Sequence, residues 1–446
     1  MYRTLAVCCL AFAGWFSTST ARAAEPIRLE ARLAQTVMKD GQTQKNYLRV
    51  ALAGCRPEPR QDRTPVNVAF VIDRSGSMEG TRIAQARAAA IMAVNRLAAF
   101  DIASIVIFDQ IAEVLVPAQQ VTDPGLFSDA ISRIGVRGTT AIYDGVMRGS
   151  AEVLKFKDER HLNRVVLLSD GKANVGPRHA AEFAELGRTL LAQGISVSTI
   201  GLGLDYNEDL MLQLARGGDG NHAFAQEPTD LVNIFNKEFD DVLGSCAQTV
   251  SVDIELKPGV RAVRALSRDG TIDGQSAQFR LNQVYQATEH YLLLEVEVDK
   301  GVATGEQDLG VVKVAYTQPD SGVRQTLDTA IRGRFSASEA EVKAGLDQKV
   351  AEAVLEQSTR ARTEQAIALR DQGKIKEANE LLLQNASEID TFAAAMPEPS
   401  KRLLELRSHY YALGATSESA SAGQLGVQRK LMRQLDARPA GSATRY

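Results

Sequence analysis

An apolar, β-branched run from Val66 to Ile72 ends in Asp73-Arg74-Ser75-Gly76-Ser77, and an Ala-rich run with helical spacing begins near Thr81. The first run has the character of a buried strand in a parallel sheet. A carboxylate and two hydroxyls at alternate positions, in a loop at the carboxyl end of such a strand, sit where open α/β sheets place ligands. Oxygen donors of this kind suit a hard divalent cation. Mg²⁺ fits best, because it keeps several waters and takes few protein carboxylates, with Ca²⁺ and Mn²⁺ as alternatives. The competing reading is structural: Ser and Asp just before a helix commonly accept bonds from its orphan N–H groups.

Asp73-x-Ser75-x-Ser77 resembles the opening of the metal-ion-dependent adhesion site of von Willebrand factor A (VWA) domains, a family whose site takes a Thr and then an Asp from later loops. Arg137-Gly138-Thr139-Thr140-Ala141-Ile142-Tyr143-Asp144-Gly145 resembles the threonine loop, with Thr140 in the better register and Thr139 as the alternative. Val165-Val166-Leu167-Leu168-Ser169-Asp170-Gly171 is a second apolar strand ending in an acid, and Asp170 matches the last ligand. The resemblance implies that Ser75, Ser77 and Thr140 touch the metal directly, with Asp73 and Asp170 acting directly or through water. It further implies recognition of a partner protein's Asp or Glu through the cation. Glu79 and Asp144 flank the site and either tune it or simply face solvent.

Other chemistry is missing from the sequence. There is no Gly-x-x-x-x-Gly-Lys-[Ser/Thr] loop, no His-Glu-x-x-His and no Gly-x-Ser-x-Gly elbow. The five histidines are scattered, and no base is assignable to Ser75 or Ser77. A binding module, not an enzyme, is therefore expected.

The elements that must hold the site follow from periodicity. From residue 64 to 244 strands and helices alternate, which predicts a mostly parallel sheet with helices on both faces. Ile102–Phe108 and Ala112–Val116 are too close for a parallel crossover and are expected to pair antiparallel at the sheet edge. Helices are expected over Thr81–Phe100, Pro124–Ile134, Ile142–Phe156, Pro177–Ala192, Asn207–Ala215 and Thr229–Leu243. Residues 24–55 and 246–335 read instead as short period-two strands broken by Gly- and Asp-containing turns. The economical fold is thus α/β, a VWA domain inserted in a split β-sandwich, and its layout resembles bacterial exported VWA proteins. Residues 336–413 are helical, opening with a long run from Ser338 to Arg370 and including a tetratricopeptide-like hairpin. Residues 414–446 read as a linker and a solvated basic tail.

Residues 1–23 carry Arg3, an apolar core and Ala21-Arg22-Ala23, the marks of a secretory signal peptide. Its removal takes two arginines and no acid, so the formal charge of −4 becomes more negative by two, which argues against nucleic acid. No stretch of the mature chain is apolar enough to span a membrane. Export, to the periplasm or cell surface, permits a disulfide. In the VWA fold class the chain ends next to Cys55 and Cys246 emerge on one side, so a bridge there would clasp the inserted domain; two buried thiols are the alternative. Two functions remain: an exported adhesion or assembly module, or an accessory subunit of a membrane transport or channel complex in the envelope. A metal-dependent enzyme is a third and poorer reading.

Overall fold

The computed structural model describes residues 27–446 apart from 56–63, 159, 204–205, 226–229, 232, 235, 237–243, 301–303, 320, 397, 418, 438–441 and 444–446. The signal peptide expected over residues 1–23, the charged linker expected at 56–62 and most of the helix expected at 229–243 lie outside the described residues.

Four buried strands form the centre of the molecule. They are β4 (Val66–Asp73), β5 (Ile102–Phe108), β7 (Leu162–Ser169) and β8 (Ser196–Leu202), every residue of which is buried. With β6 (Ala112–Gln120) and β9 (His222–Ala225) they make a sheet of order β6-β5-β4-β7-β8-β9. All pairs are parallel except β5 with β6, the edge hairpin expected from its short connection. Val68, Phe70 and Ile72 face helix α1 (Thr81–Asn95) through Ala86, Ala90 and Val94. Ala69 and Val71 face α3 (Ile142–Leu154), with α4 (Ala180–Ala192) and α5 (Glu208–Gly217) completing that layer. A short α2 (Pro124–Ser132) follows the hairpin, capped by Asp123. Because β4 lies between β5 and β7, the chain reverses direction across the sheet beside β4, which opens a crevice at the strands' carboxyl ends.

Around this insertion the flanking segments form one sandwich. One sheet has order β1 (Arg28–Leu33), β3 (Gln44–Ala53), β14 (Glu289–Val298) and β11 (Val260–Ala265), and the short β17 (Ser442–Ala443) also pairs with β14. The other has order β12 (Thr271–Asp273), β13 (Ser276–Tyr285), β10 (Ser245–Leu256), β15 (Gly305–Thr317), β16 (Arg324–Ser336) and β2 (Val37–Lys39). Val50, Leu52, Val252, Phe279, Leu292 and Val314 fill the space between them. Strand β16 is absent from the sequence reading because its apolar residues, Leu327, Ile331 and Phe335, recur every fourth position and weaken the period-two signal. Cys55 and Cys246 form a disulfide at the base of the insertion, with Cα atoms 5.9 Å apart.

The C-terminal region departs from the sequence reading in two places. The long run from Ser338 is two helices, α6 (Glu339–Ala344) and α7 (Gln348–Asp371), divided where Thr36 bonds to the Gly345 carbonyl and Asp347 caps Val350. Residues 414–446 are not merely linker and solvated tail: α10 (Ala422–Ala437) packs back on the protein. The missing signal was its partner surface, since the acids that pair with its basic residues lie on other elements. Met432 of α10 joins α7, α8 (Ile375–Ala394) and α9 (Lys401–Gly414) in one apolar cluster, while Val350 and Ala353 of α7 pack on Tyr291 and Leu293 of the sandwich. No helix among the described residues is long and apolar enough to cross a membrane.

Candidate metal centre

Asp73 is the last residue of β4, where Ile72 is level with Leu168 of the neighbouring β7. Its Oδ1 accepts the Ser75 amide at 2.8 Å and its Oδ2 accepts the Ser169 hydroxyl. The Ser75 and Ser77 hydroxyls are 3.1 Å apart, and Ser77 donates to Asp170 Oδ1 at 2.8 Å. Thr140 completes the group. A Cβ placed on Gly171 would lie 2.9 Å from Thr140 Oγ1 and 3.2 Å from Asp73 Oδ2, so hydroxyl and carboxylate face the same point. Thr139 is exposed, whereas Thr140 is buried, so the structure brings Thr140 into the group.

Backbone bonds lock the three loops together. Gly76 N donates to Gly138 O at 3.1 Å, Arg137 N to Arg74 O at 2.8 Å, and Asn174 N to Thr140 O at 3.1 Å. The Asn174 side chain accepts Thr140 N at 2.7 Å. Below them Asp109, fully buried, is held by Arg74 at 2.9 Å and Arg137 at 2.7 Å.

The helix-cap alternative can be tested directly. The residue at the N-terminus of α1 is Gly80 and that of α3 is Ala141, neither with a side-chain cap. Ser75 precedes only a short 3-10 turn, Gly76–Met78, and its side chain makes no capping bond there. The hydroxyls are therefore turned toward one another and the carboxylates.

This donor set fits a hard cation. Among the described residues no cluster of three or more His, Cys, Asp or Glu is present, so the candidate ligands are mainly hydroxyls. Asp73 is fully buried, and no cationic side chain pairs with it among the described residues. Burial pushes its pKa up to about 6 against the hydrogen bonds from Ser169 and Ser75, and the nearby Asp170 charge pushes the same way. A buried anion of this kind is costly without a positive partner. Asp170 has one, the Arg82 guanidinium, with Nη1 2.6 Å from Oδ2. Gly76 and Ser77 are exposed, which leaves the group open to solvent on one side. Glu79 and Asp144 also face solvent.

The sequence reading missed Ser169, Asn174 and Arg82. Only Arg82 left a signal: it is a cation in the first turn of a helix, where the backbone dipole disfavours positive charge.

Gly171→Ala is expected to force Thr140 away from Asp73, since the added methyl would also meet Thr140 Cγ2 at 2.9 Å. Mn²⁺ affinity, read by titration calorimetry, should fall about 10–100-fold with an unchanged circular dichroism spectrum; parental affinity would show that Thr140 does not contribute.

Comparisons with known proteins agree with the geometry. Residues 67–237 match the von Willebrand factor type A domain family. The chain is 28% identical over 290 residues to protein sll0103 of Synechocystis, covering 63% of this chain and 68% of that one. It is 27% identical over 216 residues to inter-alpha-trypsin inhibitor heavy chain H3 of Rattus norvegicus, covering 46% of this chain but only 24% of the heavy chain. The solved structure of a von Willebrand factor type A protein from Catenulispora acidiphila superposes with a TM-score of 0.73 at 14% identity, covering 94% of this chain and 97% of that one. That likeness spans sandwich, insertion and C-terminal helices alike. The protein carries a von Willebrand factor type A domain, set into a β-sandwich and followed by a helical region.

Proposed function

We propose that this chain is an exported, non-enzymatic protein-binding module that captures an Asp or Glu of a partner protein through a divalent cation. One observation carries the reading: Asp73, Ser75, Ser77, Thr140 and Asp170, from three separate loops, converge around a buried carboxylate to which no cationic side chain among the described residues is paired. These five residues would hold the ion, Mg²⁺ by preference and Ca²⁺ or Mn²⁺ otherwise. The bound cation would supply positive charge and an exchangeable coordination position for a carboxylate oxygen. This chain's own part is to keep the donors preorganised by the bonds among the three loops and to leave the Gly76–Ser77 side open. Lys172, exposed beside the Asp170 loop, favours approach of an acidic ligand.

The Cys55–Cys246 disulfide supports an oxidising location, the periplasm or the cell surface. The other reading, attachment to a membrane transport complex through the C-terminal helices, gains no comparable support, because their apolar cluster is filled by their own side chains.

The test is direct metal binding together with partner capture. The parent protein should bind Mg²⁺ or Mn²⁺ saturably and retain the same envelope proteins only when the cation is present. Asp73→Ala and chelator should each abolish both signals without loss of fold. Capture that persists after either treatment rules out cation-mediated recognition.

A further inference from the structure

Two of the three loops of the candidate metal centre are tied to a turn that carries none of its donors. That turn joins β5 to β6, with Asp109 inside it and Glu113 at the start of β6. Arg74 stands between Asp73 and Ser75, and Arg137 stands three residues before Thr140. Arg137 Nε donates to Asp109 Oδ2 at 2.7 Å, and Arg74 Nε lies 2.9 Å from the same oxygen. The two guanidinia also share Glu113: Arg74 Nη2 donates to Oε2 at 3.0 Å and Arg137 Nη2 to Oε1 at 2.8 Å. Each arginine thus bridges both acids. The main chain repeats the pattern. Arg74 N donates to Phe108 O at 2.9 Å and Ala141 N to Asp109 O at 2.7 Å, so the residues next to Asp73 and Thr140 both hang from the end of β5. Gly138, with a φ of +74°, passes so near the turn that a Cβ there would lie 3.2 Å from Asp109 Cβ. Burial would raise the Asp109 pKa, but Arg137, the Ile111 amide and Arg74 outweigh it and hold the carboxyl below its usual range. Asp109 is therefore charged, and the two acids balance the two guanidinia.

We propose that Arg74, Asp109, Glu113 and Arg137 are positioning residues of the cation site, a brace that fixes the loop of Thr140 against the loop of Asp73; this rests on the reading of Asp73, Ser75, Ser77, Thr140 and Asp170 as cation donors. A hard cation needs its oxygens at short, set distances. Donors on separate loops keep such distances only where the loops share a rigid frame. The β5–β6 turn is that frame. The acids have a second effect, since unbalanced guanidinia beside the donors would oppose a cation by like-charge repulsion. Removing Arg137 alone sets the two effects against each other. Loss of a positive charge would tighten cation binding, whereas loss of the tie weakens it. The brace requires weakening.

The experiment uses the full chain, Mn²⁺ as probe, titration calorimetry and hydrogen exchange. The Arg137 side chain is 52% exposed, so replacing it opens no buried cavity. Arg137→Gln should weaken Mn²⁺ binding about tenfold and, in the cation-free protein, speed exchange at residues 138–141. Arg137→Lys keeps the charge and a single contact and should lose less. In a Gly171→Ala background, where the added methyl already displaces Thr140, Arg137→Gln should cost little further. Parental or tighter Mn²⁺ affinity in Arg137→Gln overturns the brace and leaves the cation reading standing. Unaltered exchange at 138–141, or an undiminished loss in the Gly171→Ala background, also overturns it. A parent that binds no Mn²⁺ overturns both.

Discussion

Glu289→Ala is expected to destabilise the sandwich by about 3–5 kcal/mol, because it strands a buried guanidinium. Glu289 begins β14, and its side chain pairs with Arg49 of β3; the two side chains are 4% and 2% exposed. Arg49 also lies 4.7 Å from the centre of the Tyr291 ring, a position it can hold only while its charge is balanced. Lys349 of α7 reaches the second carboxylate oxygen at 2.8 Å. Burial alone would raise the Glu289 pKa, but Lys349 and Arg49 outweigh it and hold the carboxyl below its usual range. The same substitution therefore also loosens the first turns of α7, and faster hydrogen exchange at residues 348–354 should accompany the shift in urea midpoint. Two controls separate charge from packing. Glu297→Ala, also on β14, removes a solvent-accessible pair with Arg261 of β11 and should cost less than ~1 kcal/mol. Arg49→Met combined with Glu289→Leu should recover most of the loss, since apolar replacement of a buried pair is often neutral. A single Glu289→Ala cost no greater than that of Glu297→Ala would show that the pair is not desolvated.

The parts legible in the sequence were those whose cause is local. The apolar runs leading into Asp73 and Asp170, the edge hairpin fixed by a short connection, and the Asp73-x-Ser75-x-Ser77 spacing all reappear in the structure, because strand burial and loop position are set within a dozen residues. The parts that were not legible depend on partners distant in sequence. Ser169 reads as the end of an apolar strand, and only the register of β7 on β4 puts its hydroxyl on Asp73. Asn174 is an ordinary loop residue until it accepts the Thr140 amide. The basic residues of α10 read as a solvated tail because Glu208, Asp209 and Glu364 precede them by some seventy to over two hundred positions. Beyond the disulfide, the join between insertion and sandwich was likewise invisible. Buried Arg164 of β7 reaches Gln283 and Tyr285 of β13, and Arg268 meets Asp219 at 2.6 Å, so a polar seam continues what the disulfide begins.

Acid should weaken the protein already below neutrality, because two histidines are buried in neutral form. His222 is packed between α5 and β8, where Thr199 donates its only proton to the Met211 carbonyl at 3.0 Å. The 2.8 Å contact from Thr199 to His222 Nδ1 must therefore run from the imidazole, which leaves Nε2 to accept the Tyr206 hydroxyl at 3.3 Å. Burial pushes the His222 pKa down to about 3; Glu208 opposes this, while Lys430 and Arg216 add to it. His290, beside Tyr285, is pushed down to about 4 by burial, with Arg268 adding to the effect and Asp219 and Glu289 opposing it. Both folded values lie below the unfolded value of 6.5, so the unfolded chain binds more protons in between. Stability is accordingly full above about pH 6.5 and falls below it, by up to ~1.4 kcal/mol per pH unit for each histidine, until the folded values are reached. Urea midpoints measured at pH 7.5 and 5.0 should separate by less in His222→Gln than in the parent, and by less again when His290→Gln is added. Their difference from the parent isolates the imidazoles from every carboxylate that titrates in the same interval. Equal pH sensitivity in parent and double variant would mean that both rings reach water, against the packing of Tyr206 over one and Tyr285 beside the other.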